Sequence, residues 1–493
     1  MNTDLIIKLL KEEDLYLEDT IGNNPLEFSY LSFSSLDIAK NTLFVCKGNN
    51  FKEEYLLDAI KKGAICYLAQ ASYISSKANI PYILVKDITK AMALVAKKFY
   101  EFSRPLTLIG VTGTKGKTTT INFIHDILST ACTTNIPYIS TIDYYTGKSR
   151  GTSHNTTPES LYIYRFLKEA SESNKDYFVM EVSSQAYKMQ RIYGLNFDYG
   201  IFLNIAPDHI SSLEHKDFKE YLNAKLGFLK QCKTVLLYAL TDHFDYLYNE
   251  LIKSGVKVYT FGSERSDFKL INIKSEEDGS SFDLVYQNKT YSFKINIEGD
   301  FNCLNAMAAC SLALLLNIPY EDIKRAILNT FVSGRMNVYK NFICPVVVDY
   351  AHNKLSAEAL FKTLKKDYPN RNLKVVFGCP GDKAFNRREE LATLSGLYAS
   401  YVYITMEDPQ SKNVYDICED IVSYLKPYNK PYEVIIDRKK AIIKALENAQ
   451  EDDIIAIIGK GDEDYQLINN QYVPYESDVK VVEKYLEEKV GSL

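Results

Sequence analysis

Gly110-Val111-Thr112-Gly113-Thr114-Lys115-Gly116-Lys117-Thr118-Thr119-Thr120 begins inside an apolar run, 106–111, and passes through a glycine loop into Gly-Lys-Thr. That order predicts a strand, a phosphate-cradling loop and a helix start. Glycines let successive backbone N–H groups turn toward phosphate oxygens, a lysine reaches the terminal phosphates, and a hydroxyl holds Mg²⁺. Lys117 offers the charge and Thr118 the hydroxyl. The spacing is the shorter G-x-x-G-K-T form, because the first glycine of the commoner G-x-x-x-x-G-K-T loop would fall at Val111.

Outward from the loop, β-rich runs at 177–182, 199–204, 234–237 and 257–261 alternate with helical stretches, the pattern of a mostly parallel sheet. Upstream, strands are expected at 42–46 and 64–68 with a helix at 53–62 between them, closing near Arg104-Pro105. Downstream of Gly334-Arg335 a new alternation begins, with strands at 345–349, 373–377, 401–405 and 454–458. A chain of 493 residues exceeds what one hydrophobic core usually serves. The expectation is an α/β protein of three domains, 1–104, 105–334 and 335–493.

Composition narrows the class. With 46% hydrophobic residues, 25% charged residues and a net charge of −5, the chain reads as an ordinary soluble globular protein without the basic surface of a nucleic-acid binder. No uninterrupted apolar stretch is long enough to span a bilayer. Nine cysteines without a C-x-x-C pair argue against a disulfide framework and against a zinc site. A cytoplasmic enzyme with free thiols is expected, and a monomer. The 38 tyrosines and absent tryptophan carry no mechanism.

The polar residues that stand out lie just past strand ends, where open α/β sheets bind ligands. Tyr177-Phe178-Val179-Met180-Glu181 ends in a carboxylate that could hold Mg²⁺, or could be a solvated strand end. Asn204-Ile205-Ala206-Pro207-Asp208-His209 sets one of six histidines at another strand mouth, where it reads as a second metal ligand, a phosphate contact or a cap. Lys225 lies in a helical segment, 218–231, with one buried face, and a lysine there is commonly solvated or snorkelling. Further on, Asp349-Tyr350-Ala351-His352, Gly378-Cys379-Pro380-Gly381-Asp382-Lys383, Glu407-Asp408-Pro409-Gln410 and Gly459-Lys460-Gly461-Asp462-Glu463 close four strands.

The set resembles the Mur ligase family over nearly the whole chain, and within it the ligases that complete a UDP-muramyl tripeptide. The resemblance is carried by the loop together with Asn155-Thr156-Thr157-Pro158-Glu159, Glu181-Val182-Ser183-Ser184, Asn204 with Asp208-His209, Gly299 with Phe301-Asn302 and Asn305, Gly334-Arg335, Asp349-Tyr350-Ala351-His352 and Lys460-Gly461. It implies an N-terminal domain for a uridine nucleotide, a central ATPase and a Rossmann-like C-terminal domain for the incoming amino acid. On it, Gly113, Thr114, Lys115, Gly116, Lys117, Thr118 and Thr119 take the ATP phosphates, Asn302 and Asn305 the adenine side, and Arg335 and Asp349 the phosphate and ribose. Thr118 and Glu181 match the ligands of one Mg²⁺ and His209 of a second. Lys225 matches the family's carbamylated lysine, a CO₂-derived carbamate that turns an ammonium into a carboxylate-like anion. Lys117, Lys225 and His209 are therefore the expected catalytic residues. Asn155, Thr156, Thr157, Ser183 and Arg191 match positions that hold the UDP-muramyl peptide, and Ser35 the serine that meets its uridine nucleotide.

The implied reaction phosphorylates the γ-carboxylate of D-glutamate in UDP-MurNAc-L-Ala-D-Glu with ATP, giving an acyl phosphate that a diamino acid's amine attacks. Relatives that add diaminopimelate share an Asp-Asn-Pro-Arg turn whose arginine can grip the distal carboxylate. Here the turn is Glu407-Asp408-Pro409-Gln410, so the resemblance favours L-lysine, with ornithine or meso-diaminopimelate as alternatives. Arg388, Gly461 and Glu463 match further contacts to the amino acid. The chain departs from its relatives at Ser34-Ser35-Leu36, Met189 and Gly381-Asp382-Lys383-Ala384. A folylpolyglutamate-synthetase-like ligase and a P-loop module that binds ATP without ligation are the rival readings.

Overall fold

The computed structural model describes all residues except 49–50, 74–78, 103, 154, 208–209, 211–213, 277 and 491–493. Its contacts divide the chain into two compact units. The first comprises Met1–Gly110, Ile136–Gly200 and Ala224–Lys233; the second comprises Val111–Asn135, Ile201–Asn223 and Thr234–Leu493.

In the first unit a five-stranded sheet runs in the order Tyr16–Asp19, Tyr82–Val85, Ala64–Ala69, Thr42–Val45, Tyr30–Ser32. Its first pairing is antiparallel and the others are parallel. The helix Glu53–Lys62 forms where the sequence predicts it: Glu53 and Glu54 open it, Lys61 and Lys62 close it, and Gly63 at φ 126° stops it. Those charges complement the helix dipole at both ends. Leu56 and Ala59 on its inner face pack with Phe44 and Tyr67 of the sheet. A second group of strands pairs Tyr177–Glu181 in parallel with Tyr138–Ile139, and then Asp143–Tyr145 and Arg150–Thr152 antiparallel beyond it. Gly110 has no side chain for a packing reason. A Cβ there would lie 2.6 Å from the Phe228 ring, closer than carbon atoms approach.

The second unit receives the chain at Val111, within the strand Thr107–Thr112, which ends one residue later than the apolar run suggests. The helix Lys117–Cys132 follows, its N-cap Gly116 held at φ 85°. A six-stranded sheet has the order Asn337–Tyr339, Val346–Asp349, Asp453–Ile458, Asn372–Phe377, Tyr401–Ile404, Tyr432–Val434. Only its first pairing is antiparallel. The four strands expected there lie within a residue of their predicted bounds, because each is a short apolar run buried on both faces. Since these strands are parallel, their C-terminal turns gather at one edge. Sequence reading missed an antiparallel sheet of Lys269–Glu276, Gly279–Tyr286 and Lys289–Ile295. Its outer strands are largely exposed and polar, so no apolar run marks them. The nine cysteines are unbridged, and among the described residues no helix is long and apolar enough to cross a membrane.

Beneath the six-stranded sheet, Arg438 and Asp478 form a wholly buried pair, with Nε–Oδ1 at 2.8 Å and Nη2–Oδ2 at 2.7 Å. Arg438 Nη2 also donates to the Ile458 carbonyl at 2.8 Å, and Tyr475 donates to Asp478 at 2.7 Å. Removing one partner strands a charge in the core. Asp478→Ala is therefore expected to lower unfolding free energy by about 3–5 kcal/mol in urea titration, whereas the apolar pair Arg438→Met with Asp478→Leu should recover much of that loss.

Candidate functional site

The phosphate loop is braced from outside by Asn204, at the end of the strand Phe197–Phe202. The Thr114 amide donates to the Asn204 carbonyl at 3.0 Å, the Lys115 amide to Asn204 Oδ1 at 2.9 Å, and Asn204 Nδ2 to the Lys115 carbonyl at 3.1 Å. Thr114 Oγ1 meets the Tyr221 hydroxyl at 3.0 Å and accepts from the Ala206 amide at 3.0 Å. A Cβ on Gly116 would lie 2.3 Å from Asn305 Oδ1, so a glycine is required there by both conformation and close approach. Lys117 arches back over the loop, its Nζ donating to the carbonyls of Gly113 and Thr114 at 3.0 and 3.2 Å.

Beside the loop opens a cavity of about 210 Å³ whose walls include Lys115, Gly116, Asn302, Asn305, Arg335 and Asp349. Six residues assigned separately from sequence thus share one wall. Arg335 Nη2 reaches Thr118 Oγ1 at 3.3 Å. Asp349 accepts from the amides of Met336 and Ala351, both at 2.7 Å. Burial raises the Asp349 carboxyl above its usual range, against the opposing pull of Arg335 and those amides. Asn302 Nδ2 donates to the Glu298 carbonyl at 2.8 Å, and Asn305 Nδ2 to Asn302 Oδ1 at 3.3 Å, which fixes both amides. His352 stands out in sequence only as the end of a motif, yet its Nε2 lies 3.0 Å from Lys115 Nζ.

In the first unit Glu181 is buried at the end of Tyr177–Glu181, accepting from the Thr141 amide at 2.7 Å and the Thr141 hydroxyl at 3.1 Å. Thr157 Oγ1 donates to the Glu181 carbonyl at 2.9 Å and accepts from the Ser183 amide at 3.0 Å. Arg191 donates to the Thr157 carbonyl and to Glu159 Oε1, both at 3.1 Å, and Thr156 Oγ1 lies 3.1 Å from Thr141 Oγ1, to which it donates because the Thr141 proton is given to Glu181. Thr156, Thr157, Ser183, Arg191 and Glu181 therefore form one cluster. Sequence reading missed Lys47, which pairs with Glu159 across 112 residues and had no local signal. Asn155 is exposed, and the Ser35 carbonyl accepts from Lys62 Nζ at 2.7 Å. Lys225 is only 2% exposed, against the expectation that such a lysine is solvated. His209, with Asp208, lies outside the described residues.

Taken one by one, Thr118 in the second unit offers a buried hydroxyl and Glu181 in the first a buried carboxylate, each an oxygen donor of the kind hard cations take. Among the described residues no three His, Cys, Asp or Glu side chains form a ready-made metal cage.

At the gathered strand ends of the second unit, Lys460 Nζ pairs with Asp408 Oδ1 at 3.1 Å and Glu463 Oε2 at 2.6 Å. Burial pulls the Lys460 ammonium down, but Glu463 and Asp408 outweigh it and leave it raised. Glu407 is buried; desolvation, then Asp408, push its carboxyl up to about 7. It is therefore not a fixed negative charge at neutral pH. Gln410, at φ 55°, accepts from the Asp382 amide through Oε1 at 2.6 Å, and its own amide donates to the Leu467 carbonyl at 2.9 Å. Arg388 is tied to Asp420 at 2.6 Å and to the carbonyls of Pro380 and Gly381 at 3.3 and 2.9 Å, so it builds the 380–381 turn. Pro409 packs its carbonyl against Gly381, and Gly461 at φ 55° packs against Gly334.

Comparison with known proteins supplies the family. The sequence model of the Mur ligase middle domain matches residues 111–313, and that of the Mur ligase glutamate ligase domain matches 334–461. The UDP-N-acetylmuramoyl-L-alanyl-D-glutamate–L-lysine ligase of Enterococcus faecalis is 36% identical over 99% of this chain and 97% of its own length. The ligase of the same name from Streptococcus thermophilus is 37% identical over 93% of each. Among solved structures, a UDP-N-acetylmuramoyl-L-alanyl-D-glutamate–2,6-diaminopimelate ligase superposes with a TM-score of 0.64 at 23% identity, covering 98% of this chain and 99% of that one. The fold, the loop and the two matched domains lead to one conclusion: the chain belongs to the Mur ligase family.

Proposed function

We propose that the protein is an ATP-dependent ligase that joins L-lysine to the D-glutamate γ-carboxylate of UDP-MurNAc-L-Ala-D-Glu, a step of peptidoglycan precursor synthesis. The observation that carries this reading is the cavity beside the phosphate loop, walled by Asn302, Asn305, Arg335 and Asp349. In this reading residues 1–104 take the uridine nucleotide, 105–334 ATP and 335–493 the incoming amino acid. The unbridged cysteines suit a reducing compartment, which supports a cytoplasmic placement; a monomer is the simplest working state.

In this reading the loop amides from Gly113 to Thr119 and the Lys117 ammonium hold the ATP phosphates, with the helix N-terminus behind them. Arg335 and Asp349 grip the nucleotide's phosphate and ribose, and Asn302 and Asn305 flank the adenine. Thr118 and Glu181 hold Mg²⁺, with His209 for a second ion; when bound, the metal neutralises charge on the transferring phosphoryl oxygens. Lys225, buried as it is, serves as a carbamate, which would add a carboxylate-like oxygen donor. Asn155, Thr156, Thr157, Ser183, Arg191 and Ser35 position the UDP-muramyl peptide so that its γ-carboxylate oxygen attacks the γ-phosphorus and ADP leaves. A carboxylate is a poor electrophile; the acyl phosphate is a good one. The acceptor amine then attacks the acyl carbon, inorganic phosphate departs and an amide remains. The protein's share is positioning and charge neutralisation.

The choice of lysine rests on Gln410, which stands where relatives that add diaminopimelate carry an arginine. Gln410→Arg should raise kcat/KM for meso-diaminopimelate about tenfold and lower that for lysine, as expected for one charge-assisted carboxylate pair. The product of the unmodified enzyme, read by mass spectrometry with L-lysine, L-ornithine and meso-diaminopimelate in competition, should be the lysine tripeptide. A diaminopimelate product would keep the ligase and refute the Gln410 argument.

A further inference from the structure

Tyr350 stands between the nucleotide cavity and the acceptor turns of the second unit. Its ring lines the cavity and carries the Arg335 guanidinium 4.3 Å from its centroid. Its hydroxyl donates to Glu463 Oε1 at 2.6 Å. The other Glu463 oxygen takes Lys460 at 2.6 Å, and Lys460 reaches Asp408 at 3.1 Å, which also accepts from the Leu467 amide at 3.0 Å. The ring also meets His352 edge to face at 4.7 Å. His352 Nδ1 lies 2.8 Å from the Tyr350 carbonyl. A carbonyl can only accept, so Nδ1 carries the hydrogen and the Nε2 lone pair faces the Lys115 ammonium at 3.0 Å. A short chain of contacts thus joins one tyrosine to Arg335 and Lys115 on one side and to Glu463 and Asp408 on the other.

We propose that Tyr350 is a positioning residue that couples the two substrates: its ring seats Arg335 on the nucleotide side while its hydroxyl fixes Glu463 and, through Lys460, the Asp408 turn on the acceptor side. The inference rests on the ligase reading above. The two functions use different parts of one side chain and are therefore separable. Burial, reinforced by Glu463, holds the phenol well above its ordinary value, so it remains a donor throughout the working pH range. Lys460, almost completely buried, has little freedom to compensate if Glu463 turns away. Because coupling between binding sites is reciprocal, nucleotide should tighten lysine binding as much as lysine tightens nucleotide binding.

The test compares Tyr350→Phe with Tyr350→Ala in steady-state kinetics, beside calorimetric binding of L-lysine with and without a non-hydrolysable ATP analogue. Tyr350→Phe keeps the ring and should raise KM for lysine about tenfold, the loss of one hydrogen bond to a charged group, with KM for ATP unchanged and kcat nearly so. It should also remove the nucleotide's effect on lysine affinity. Tyr350→Ala should raise KM for ATP as well, because Arg335 loses its seat. Combining Tyr350→Phe with Glu463→Gln should cost no more than Glu463→Gln alone. A Tyr350→Phe enzyme with wild-type KM for lysine and intact coupling overturns the proposal. Wild-type enzyme inactive with lysine would instead defeat the ligase reading, and the unmodified control reveals that before any variant is compared.

Discussion

Replacing Lys117 by alanine is expected to cut ligase turnover about a thousandfold, the loss typical of removing a preorganised group that faces developing charge. The side chain is already poised to meet that charge, since its ammonium sits over the loop on the carbonyls of Gly113 and Thr114, 3.0 and 3.2 Å away. It needs no large rearrangement to meet a phosphate at the start of the helix Lys117–Cys132. The residue is partly exposed, and its partners Gly113 and Thr114 are met only through their backbone carbonyls, so the thermal midpoint should barely move. Lys117→Arg should rescue little, because a broad planar guanidinium does not replace a compact point charge inside a tight loop. Full turnover by Lys117→Ala would show that the loop holds something other than the reacting phosphates.

The second large effect concerns Lys225. On sequence alone this lysine reads as an ordinary member of an amphipathic helix, yet the helix Phe218–Leu229 buries it to 2% exposure. Lysines are almost never so buried unless paired or modified. If it works as a carbamate, Lys225→Ala should lower turnover by at least about a hundredfold, because the carboxylate-like oxygen donor is lost. Added formate or acetate should restore part of that activity by filling the vacated space with a carboxylate. Lys225→Arg, which cannot form the carbamate, should be as poor as the alanine variant and indifferent to added carboxylate. Carbon-13 NMR of enzyme equilibrated with labelled bicarbonate gives a readout independent of turnover: a carbamate signal in the wild type, absent from Lys225→Arg.

Much of this fold is legible in the chain because it is encoded locally. The phosphate loop, the helix Glu53–Lys62 and the strand Tyr177–Glu181 are each written in a continuous run of residues with their own start and stop signals. The parallel strands of the six-stranded sheet are apolar throughout, which makes them easy to see but says nothing of their order. Asp453–Ile458, last of the four in sequence, lies between Val346–Asp349 and Asn372–Phe377. The exposed strands of 269–295 escape notice because their residues are those of a solvated surface.

The acceptor turns illustrate a different limit. Glu407 and Asp408 read as two negative charges awaiting an ammonium. In the folded chain Asp408 already holds Lys460, which is 52 residues away, and Glu407 is lifted toward neutrality by its burial. Neither pairing nor desolvation has a local signature. The same holds for Tyr350, which in sequence is one letter of a motif and in the fold joins residues 113 positions apart. Residue types and turns reveal the chemistry; the wiring among them needs the fold.

The most direct test of the central claim is inorganic phosphate release from ATP and Mg²⁺, measured with UDP-MurNAc-L-Ala-D-Glu and L-lysine together and with each left out in turn. The ligase account predicts stoichiometric release only when both are present. Phosphate released at the same rate without the amino acid or without the UDP-muramyl dipeptide would contradict it.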